Sequence, residues 1–461
     1  MKIPFDLVRR YDQPGPRYTS YPTAVEFDGE SSLSAMKTIW GVGLEDARTS
    51  DHVRGLSIYL HLPFCRSLCW YCGCNKVITR NPTAADVYLD YLEKEMDLWL
   101  NRMASNGPVR QIHFGGGTPT FLNPSQLNRL GGMLHQRFSI DNDTEFSVEI
   151  DPRHSEPDRV AALANMGCNR ASLGVQDLDT DVQKAIHRIQ PFDMTEKSVF
   201  LLRNAGIHGV NLDLIYGLPL QNRSTFLQTI QKVMTLRPDR LAVYSYAHLP
   251  DRIPSQRLID PETMPSADEK LGMFVESSES LVESGMEWIG MDHFARPEDS
   301  LTRALSEGSL QRNFQGYSTE ARTDLIGFGV SAISQFDSLY LQNEKELDLY
   351  YDRIDRGEPA VAKTLILHDE DRLRREVIME VMCRNELDYE AIESRWGISF
   401  PVYFEQELER LDPMEKDGFL VRRERMLELT PLGRYFLRNM AMVFDAYRKV
   451  GTSTAAFSRT V

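Results

Sequence analysis

The sequence lacks the long apolar segments of membrane and secreted proteins. It contains no run of about 18 or more apolar residues, which excludes a transmembrane helix. Residues 1–23 contain no apolar core of the kind found in a signal peptide. With 42% hydrophobic and 26% charged residues, the composition is that of an ordinary globular protein. We therefore expect a cytoplasmic protein without a membrane partner.

Basic residues are outnumbered by acidic ones. The chain has 52 Lys and Arg against 67 Asp and Glu, a net charge of −15. Affinity for nucleic acid depends on neutralising phosphates with Lys and Arg. The composition therefore predicts no nucleic-acid partner, and an anionic small substrate would need a locally basic pocket.

The six cysteines do not form the pattern of a disulfide framework. Such frameworks occur in small secreted chains, with cysteines spread in pairs. Here four cysteines fall within ten residues, at Cys65, Cys69, Cys72 and Cys74. This clustering in a large chain indicates metal binding.

Strand and helix patterns alternate through most of the chain. A length of 461 residues predicts a large domain and at least one smaller one. Short apolar runs are followed by amphipathic helices, with room between them for the crossover that parallel strands need. The pair Asn123-Pro124 predicts a capped helix start, with Leu127, Leu130 and Leu134 on its buried face. The predicted strands are Ser57–His61, Gln111–Phe114, Glu145–Ile150, Asn169–Val175, Gly209–Ile215 and Leu241–Tyr246. Such repeats predict an α/β fold, with parallel strands in an open sheet or a barrel and helices outside.

The character of the sequence changes after about Leu365. Three helices are predicted at Glu376–Cys383, Tyr389–Arg395 and Tyr403–Leu411, followed by a two-stranded wing at 416–421 and 427–430. We predict an N-terminal arm and lead-in at 1–50, the α/β domain at 51–364, and a helical C-terminal domain at 365–461. For the Pro- and Gly-containing arm at 12–23, a packed and a disordered state both remain open.

The cysteine spacing C-x3-C-x2-C suits an iron–sulfur cluster. Three thiolates, from Cys65, Cys69 and Cys72, would leave one iron of a [4Fe-4S] cubane open to an outside ligand. S-adenosylmethionine (SAM) is such a ligand, and the cluster would deliver an electron to its sulfonium. The alternative is a zinc site that includes Cys74, but no second Cys-x2-Cys half exists in the sequence. If Cys74 ligated the cluster, SAM could not bind, so we place it near the substrate. A small buried thiol is the alternative.

Other unusual residues follow the predicted strands. Residues 115–120 read GGGTPT and lack the Lys and Ser/Thr of a P-loop, so this glycine run is either a turn or a cradle for SAM. Glu149 and Asp213 lie in apolar strands, where a carboxylate is costly unless it is paired or hydrogen-bonded. A structural ion pair and hydrogen bonds to SAM both remain open. The carboxyl ends of barrel strands commonly carry function, which predicts one shared site.

These motifs resemble those of oxygen-independent coproporphyrinogen III oxidases, a family of radical-SAM enzymes. The resemblance covers essentially the full chain. The matching motifs are RYTSYPTA (17–24), HLPFC (61–65), CGCNK (72–76), GGGTPT (115–120), VEIDPR (148–153), GVQD (174–177), NLDLIYGLP (211–219), YAHLP (246–250), GMDHFARP (290–297), RNFQGY (312–317) and GVSAIS (329–334).

The resemblance implies a fold and a set of ligand-binding residues. The fold is an incomplete (β/α) radical-SAM barrel with a mainly helical C-terminal domain. Cys65, Cys69 and Cys72 would bind the cluster. Two SAM molecules would be bound, the first lined by Tyr59, Gly116, Glu149, Ala247 and Ile333, and the second held by Tyr71, Gly117, Thr118, Gln176, Arg188 and Asp213.

The resemblance also implies a reaction. The ring A and ring B propionates of coproporphyrinogen III would be oxidatively decarboxylated to vinyl groups through a 5′-deoxyadenosyl radical, giving protoporphyrinogen IX in haem biosynthesis. An electron donor and an electron acceptor are implied but not identified, and a monomer is expected. Two alternatives are a haem-binding chaperone of the same superfamily, which typically lacks a cysteine at the Cys74 position, and a radical-SAM enzyme with another substrate.

Overall fold

The apolar runs of the sequence form the strands of the fold. The structure, a computed structural model, describes residues 5–29, 55–102, 107–320, 323–448 and 457–460. In chain order the strands are β1 Leu56–Leu62, β2 Phe64–Cys65, β3 Val77–Ile78, β4 Val109–Gly116, β5 Glu145–Ile150, β6 Arg170–Gln176, β7 Gly209–Tyr216, β8 Arg240–Ser245, β9 Glu287–Gly290, β10 His293–Ala295, β11 Gln311–Asn313, β12 Gly316–Ser318, β13 Asp324–Phe328, β14 Ile333–Gln335, β15 Leu339–Asn343, β16 Val361–Ile366, β17 Glu386–Asp388, β18 Leu420–Arg422 and β19 Met426–Leu429. The six predicted strands are confirmed as β1 and β4–β8.

The helices lie between these strands and dominate the C-terminal part. The α-helices are Phe5–Tyr11, Thr83–Leu100, Pro124–Arg137, Pro157–Asn165, Thr180–Ala185, Phe192–Asn204, Arg223–Met234, Ala267–Glu283, Ser300–Ser306, Leu347–Asp355, Asp369–Arg384, Tyr389–Trp396, Phe400–Tyr403, Glu405–Arg410, Asp412–Lys416 and Leu437–Ala441. None of the helices formed by the described residues is long and apolar enough to span a bilayer.

The chain divides into two units. The sheet unit comprises 27–266 and 322–366, and the helical unit comprises 1–26, 267–321 and 367–461. The predicted α/β domain includes residues 267–321, whereas in the structure this segment belongs to the helical unit. The reason is a common core, in which Leu271 and Ile289 join Val377 and Val381.

The sheet unit contains an incomplete barrel. Its strands are hydrogen-bonded in the order β16-β15-β14-β13-β1-β4-β5-β6-β7-β8, which does not close on itself among the described residues. From β13 to β8 all neighbours are parallel, whereas β14, β15 and β16 are antiparallel. Strand β1 is buried at every position except one, as expected for a parallel strand covered on both faces.

The helix Pro124–Arg137 begins where the sequence predicted. Asn123 is its N-cap, with a capping box to Gln126 in which both hydrogen bonds measure 3.0 Å. Proline occupies the first turn, and Leu127, Leu130 and Leu134 are buried. These caps satisfy backbone N–H groups that a helix start leaves unpaired.

The helical unit has its own core. The predicted C-terminal helices and the two-stranded wing are confirmed, and β17 joins the wing strands in the order β17-β19-β18. The arm is packed, since Tyr18 and Tyr21 are buried in this core and the Tyr18 hydroxyl donates to Asp445 at 2.8 Å. The disordered alternative for these residues is therefore wrong.

Candidate active site at the carboxyl ends of the parallel strands

The parallel strands bring polar side chains from β1, β4 and β5 together. The Tyr59 ring on β1 stacks on His113 of β4, with centroids 5.9 Å apart, and its hydroxyl lies 3.1 Å from His61 Nδ1. His113 Nε2 is 3.4 Å from Glu149 Oε1, and the Gly116 amide donates to Glu149 Oε2 at 3.3 Å. These contacts place Tyr59, Gly116 and Glu149, three residues predicted to line the first SAM, side by side.

Two further residues predicted for this group lie on other segments. Ile333 begins β14, and its carbonyl packs against Gly327, the β13 partner of Tyr59. Ala247 follows β8, and its carbonyl accepts from Gln256 Nε2 at 3.1 Å. The same amide donates to the Tyr71 carbonyl at 2.9 Å, which ties the Ala247 segment to the cysteine loop.

The cysteine loop is fixed at several points by its backbone. Cys65 ends β2, which pairs in parallel with β3. The Thr79 amide donates to the Cys65 carbonyl at 2.9 Å, and the Cys72 amide donates to the Cys69 carbonyl at 3.2 Å. Trp70 stacks on His187 with centroids 5.2 Å apart. Cys69 is buried, while Cys65 and Cys72 are half-buried.

The Cys69 thiol faces two arginines. Arg153 and Arg188 donate to its sulfur at 3.4 Å and 3.6 Å. Both guanidinium groups also bind Asp151, at 2.6 Å and 3.1 Å. They hold the pKa of this buried carboxyl well below its usual range, against the opposing effect of burial. Asp151 is therefore ionised and orients both cations toward the sulfur.

These residues fit a [4Fe-4S] cluster. Such clusters are held by thiolates, and hydrogen bonds to the sulfurs tune their potential. The loop supplies three thiols, one of which already has two charged donors. A zinc site would need its ligands around one ion, and the described residues, which include Cys65 to Cys74, contain no group of three His, Cys, Asp or Glu arranged in that way. In a cubane each cysteine instead binds a different iron.

The glycine run packs against the cysteine loop. The Gly117 amide donates to the Leu62 carbonyl at 2.8 Å, and the Thr118 amide donates to the Phe64 carbonyl at 2.9 Å. A Cβ on Gly117 would lie 2.5 Å from the Pro63 carbonyl oxygen, so only glycine fits there. The Thr118 hydroxyl is 3.5 Å from Cys65 Sγ. The run thus joins β4 to the cysteine loop by close backbone contact.

The two strand carboxylates have different partners. Asp213 accepts a hydrogen bond from the Ser172 hydroxyl at 2.8 Å and has no ion-pair partner among the described residues. Burial raises its pKa to about 7. Glu149 contacts His113, but 45% of its side chain is exposed. Both carboxylates keep hydrogen-bonding capacity for a ligand.

The side chains of Gln176 and Arg188 both lie against Gly174. Gln176 has a φ of +67°, and a Cβ on Gly174 would lie 2.7 Å from its Nε2 and 3.2 Å from Arg188 NH2. Arg188 is 6% exposed, and its Nε has no hydrogen-bond partner among the described residues. An unpaired buried donor is costly, so this N–H fits an acceptor on a bound ligand.

Cys74 lies beside the predicted cluster ligands and is exposed. A hydrogen bond from its thiol lowers the pKa of Cys72 to about 6. Lys76 Nζ donates to the Cys72 carbonyl at 2.8 Å. The Cys74 side chain is thus accessible and next to a cluster cysteine, while its role near the substrate stays a prediction.

Residue-by-residue reasoning missed several members of this site. His61, His113, Asp151, Arg153 and Gly174 were not singled out. A signal was present for some of them, because His61 lies in HLPFC and both Asp151 and Arg153 lie in VEIDPR directly after β5. Their positions at strand ends could have marked them, but their contacts with Cys69 and Glu149 could not be read from spacing.

Comparisons with known proteins give matches along the whole chain. The Radical SAM superfamily model matches residues 59–233, and the HemN C-terminal domain model matches residues 367–436. The chain is 43% identical to the oxygen-independent coproporphyrinogen III oxidase of Salmonella typhimurium, covering 99% of this chain and 98% of the relative. For the Helicobacter pylori (strain J99) protein of the same name the identity is also 43%, with 100% and 99% covered.

A solved structure is similar over nearly the whole chain. It is that of coproporphyrinogen III oxidase (HemN) from Escherichia coli, described as a radical SAM enzyme. The TM-score is 0.90 at 42% sequence identity, covering 97% of this chain and 100% of the other. The strand order described above therefore belongs to a fold already known from a solved relative.

Proposed function

The chain belongs to the oxygen-independent coproporphyrinogen III oxidase family, and on this premise we propose that it decarboxylates coproporphyrinogen III to protoporphyrinogen IX without oxygen. Each of the ring A and ring B propionates becomes a vinyl group by losing a hydrogen atom to the radical derived from SAM, and then CO2 and one electron, which passes to an electron acceptor. The observation that carries the proposal is the gathering of the three-cysteine loop and the strand-end residues in one place, in a chain 43% identical to named relatives over 99% of its length.

Cys65, Cys69 and Cys72 would hold the [4Fe-4S] cluster. When bound, the cluster and SAM supply the radical chemistry that removes a hydrogen atom from the propionate. Arg153 and Arg188 place two positive charges at Cys69, which stabilise negative charge on the sulfur. Burial of Cys69 excludes water from this ligand, which protects the site from side reactions.

Tyr59, Gly116, Glu149, Ala247 and Ile333 would line the SAM bound at the cluster. Glu149 is held by the Gly116 amide and faces His113, which leaves its other lone pairs for the hydroxyl or amino hydrogens of SAM. Because Gly116 has a φ of +108° and its Cβ would lie 2.7 Å from the His61 ring, a larger residue there would displace this wall.

A second SAM would be held by Tyr71, Gly117, Thr118, Gln176, Arg188 and Asp213. The unpartnered Arg188 Nε supports an acceptor such as a carboxylate at this place. Burial raises the pKa of Asp213 to about 7, because it disfavours the ionised carboxylate. Hydrogen bonds from hydroxyl or amino groups of a ligand would stabilise that ionised form. The number of SAM molecules remains part of the proposal.

Cys74 is proposed to act near the substrate. It is exposed and adjacent to the predicted cluster ligand Cys72, so a thiol at this position can reach a bound molecule. Its presence favours the oxidase over the related haem-binding chaperone, which typically lacks it. The cytoplasmic location, the monomeric state and the need for an electron donor and an electron acceptor, both unidentified, stay predictions.

Anaerobic turnover tests the proposal. The reconstituted protein is incubated with coproporphyrinogen III, SAM and a chemical reductant, and tetrapyrroles, methionine and 5′-deoxyadenosine are quantified by chromatography. We expect protoporphyrinogen IX with two vinyl groups, and no product from the Cys69→Ser protein. Tight haem binding without turnover would instead support the chaperone, and SAM cleavage without a change in the tetrapyrrole would indicate another substrate.

A further inference from the structure

A basic cleft opens beside the cysteine loop of the sheet unit. Its volume is about 450 Å³, and its lining includes Arg66, Arg80, Arg153 and His154 around the buried ring of Phe121. No carboxylate lines it. In a chain with a net charge of −15, three arginines on one cleft are a local reversal of the overall charge.

Two of these arginines form no hydrogen bond or ion pair within the part of the chain that the structure describes. Arg66 and Arg80 make no hydrogen bond or ion pair with any described residue, although Arg66 lies over the Phe121 ring at 5.8 Å. Arg80 is exposed and Arg66 is half-buried. Arg153 differs, since it is bound to Asp151 and to Cys69. The free positive charge of the cleft therefore comes from Arg66 and Arg80.

The cleft is in direct contact with the segment that carries the cluster cysteines. Arg66 lies between Cys65 and Cys69 in the sequence, and Arg153 reaches from the cleft to Cys69 Sγ at 3.4 Å. Arg80 follows Thr79, whose amide is bonded to the Cys65 carbonyl. None of the residues predicted to hold SAM lines the cleft, so it offers a separate approach to the same loop.

We propose that this cleft, through Arg66 and Arg80, docks an acidic electron-donor protein that reduces the cluster. The inference rests on the proposed function, which needs a reduced cluster. Electron transfer falls steeply with distance, so a donor must dock at the cysteine loop. Complementary charge steers such encounters and sets their rate, and transient redox complexes have small interfaces.

The docking step transfers one electron. The reduced flavin or iron–sulfur centre of the donor loses an electron and is oxidised, and the [4Fe-4S]2+ cluster gains it and becomes [4Fe-4S]+. No bond in the chain forms or breaks. Arg66 and Arg80 position the donor by pairing with its carboxylates, and they do not take part in the transfer.

The test compares two reductants on the same variants. The probes are photoreduced flavodoxin, a small acidic donor, and dithionite, a small reductant that needs no docking surface. The variants are Arg80→Gln, the double variant Arg66→Gln/Arg80→Gln, and the control Arg237→Gln. Arg237 is exposed just before β8, at the opposite ends of the strands from the cysteine loop. Iron content and the spectrum of the cluster are measured for each.

The expected result separates docking from catalysis. With flavodoxin, the second-order rate of cluster reduction falls about tenfold in the double variant and less in Arg80→Gln, and its dependence on salt becomes weaker. Binding of oxidised flavodoxin to the holoenzyme, measured by calorimetry, weakens in parallel. Reduction and turnover with dithionite stay unchanged, as do all values for Arg237→Gln.

Two results would overturn the proposal. One is unchanged flavodoxin binding and reduction in the double variant. The other is an equal loss with dithionite, which would assign the arginines to the cluster instead of to docking. Failure of the proposed function is recognised independently, because the parent protein would then produce no vinyl product even with dithionite.

Discussion

Two carboxylates of the sheet unit, the buried Glu95 and the half-buried Asp213, differ in how many hydrogen bonds the protein supplies to them. Glu95, on the helix Thr83–Leu100, is completely buried and accepts hydrogen bonds from the Gly329 amide, Asn343 Nδ2 and the Tyr350 hydroxyl, each at 2.7 Å. Asp213, at the strand-end site, accepts one hydrogen bond, from Ser172. Burial raises the pKa of both groups to about 7.

The two sites differ in how many hydrogen-bonding positions the protein itself leaves without a partner. The donors around Glu95 fix the Gly329 turn to the helix, so its oxygens are occupied by the protein itself. Among the described residues, Arg188 Nε has no hydrogen-bond partner, and Asp213 accepts only the hydrogen bond from Ser172. A carboxylate satisfied by its own fold contributes to stability, whereas one left under-bonded marks a ligand site at some cost in stability.

Removing a predicted cluster ligand should have the largest effect on the strand-end site. We expect Cys65→Ser, Cys69→Ser and Cys72→Ser each to lose the iron, about four atoms per chain for a cubane, together with all turnover. The reason is that each thiolate would bind a different iron of the cubane. Iron analysis and electron paramagnetic resonance after anaerobic reconstitution measure this, with Cys168→Ser, a buried cysteine outside the loop, as the matched control. Retention of the full cluster in any of the three would contradict the assignment.

Cys74→Ser should distinguish cluster binding from substrate turnover. We expect this variant to retain its iron and its cluster spectrum but to lose porphyrinogen turnover, because Cys74 is placed outside the ligand set. The same iron analysis and the chromatographic assay are used. Loss of iron equal to that of the Cys72 variant would place Cys74 among the ligands.

Glu95→Ala should affect stability and leave the chemistry of the cluster intact. It leaves three buried donors without an acceptor, and we expect a loss of ~3–5 kcal/mol in the free energy of unfolding. Urea unfolding measures it, and the control Asp90→Ala, at an exposed ion pair with Arg129, should cost less than about 1 kcal/mol. Equal losses of stability in both proteins would refute a stabilising role for the hydrogen bonds that Glu95 accepts.

Asp213→Asn should have the opposite effects to Glu95→Ala, because it should weaken ligand binding and raise stability. We expect weaker SAM binding, by about tenfold, with a gain of about 1–2 kcal/mol in stability at pH 8 when SAM is absent. The sign follows from the pKa, which is raised from 3.8 to about 7 in the folded chain. The stabilising contribution of this group is present below pH 3.8 and is lost as the pH rises through 7.

The pH profile checks this last prediction. The unfolding free energy of the parent should fall relative to that of Asp213→Asn between about pH 4 and 7, as measured by denaturant titration without SAM. Asp193→Asn, at an exposed position on the helix Phe192–Asn204, should follow the parent. A parallel profile for the parent and Asp213→Asn would show that Asp213 titrates normally.

The sequence by itself determined the elements, and its cysteine spacing predicted an iron–sulfur cluster. Apolar runs such as 56–62 and 209–216, the capped helix at Asn123, and the C-x3-C-x2-C spacing depend on residues close together in the chain, so pattern and propensity were sufficient. The family motifs then indicated the reaction, and the full-length relatives carry the same name.

Only the tertiary structure decided which groups meet. Arg188 reaches the Cys69 sulfur across 119 positions of sequence, and Asp151 meets Arg188 across 37. Residues 267–321 cluster with the C-terminal helices because their apolar side chains share that core. Local periodicity carries no information on such distant partners, since they are set by the order of the strands and by the packing of whole elements against one another.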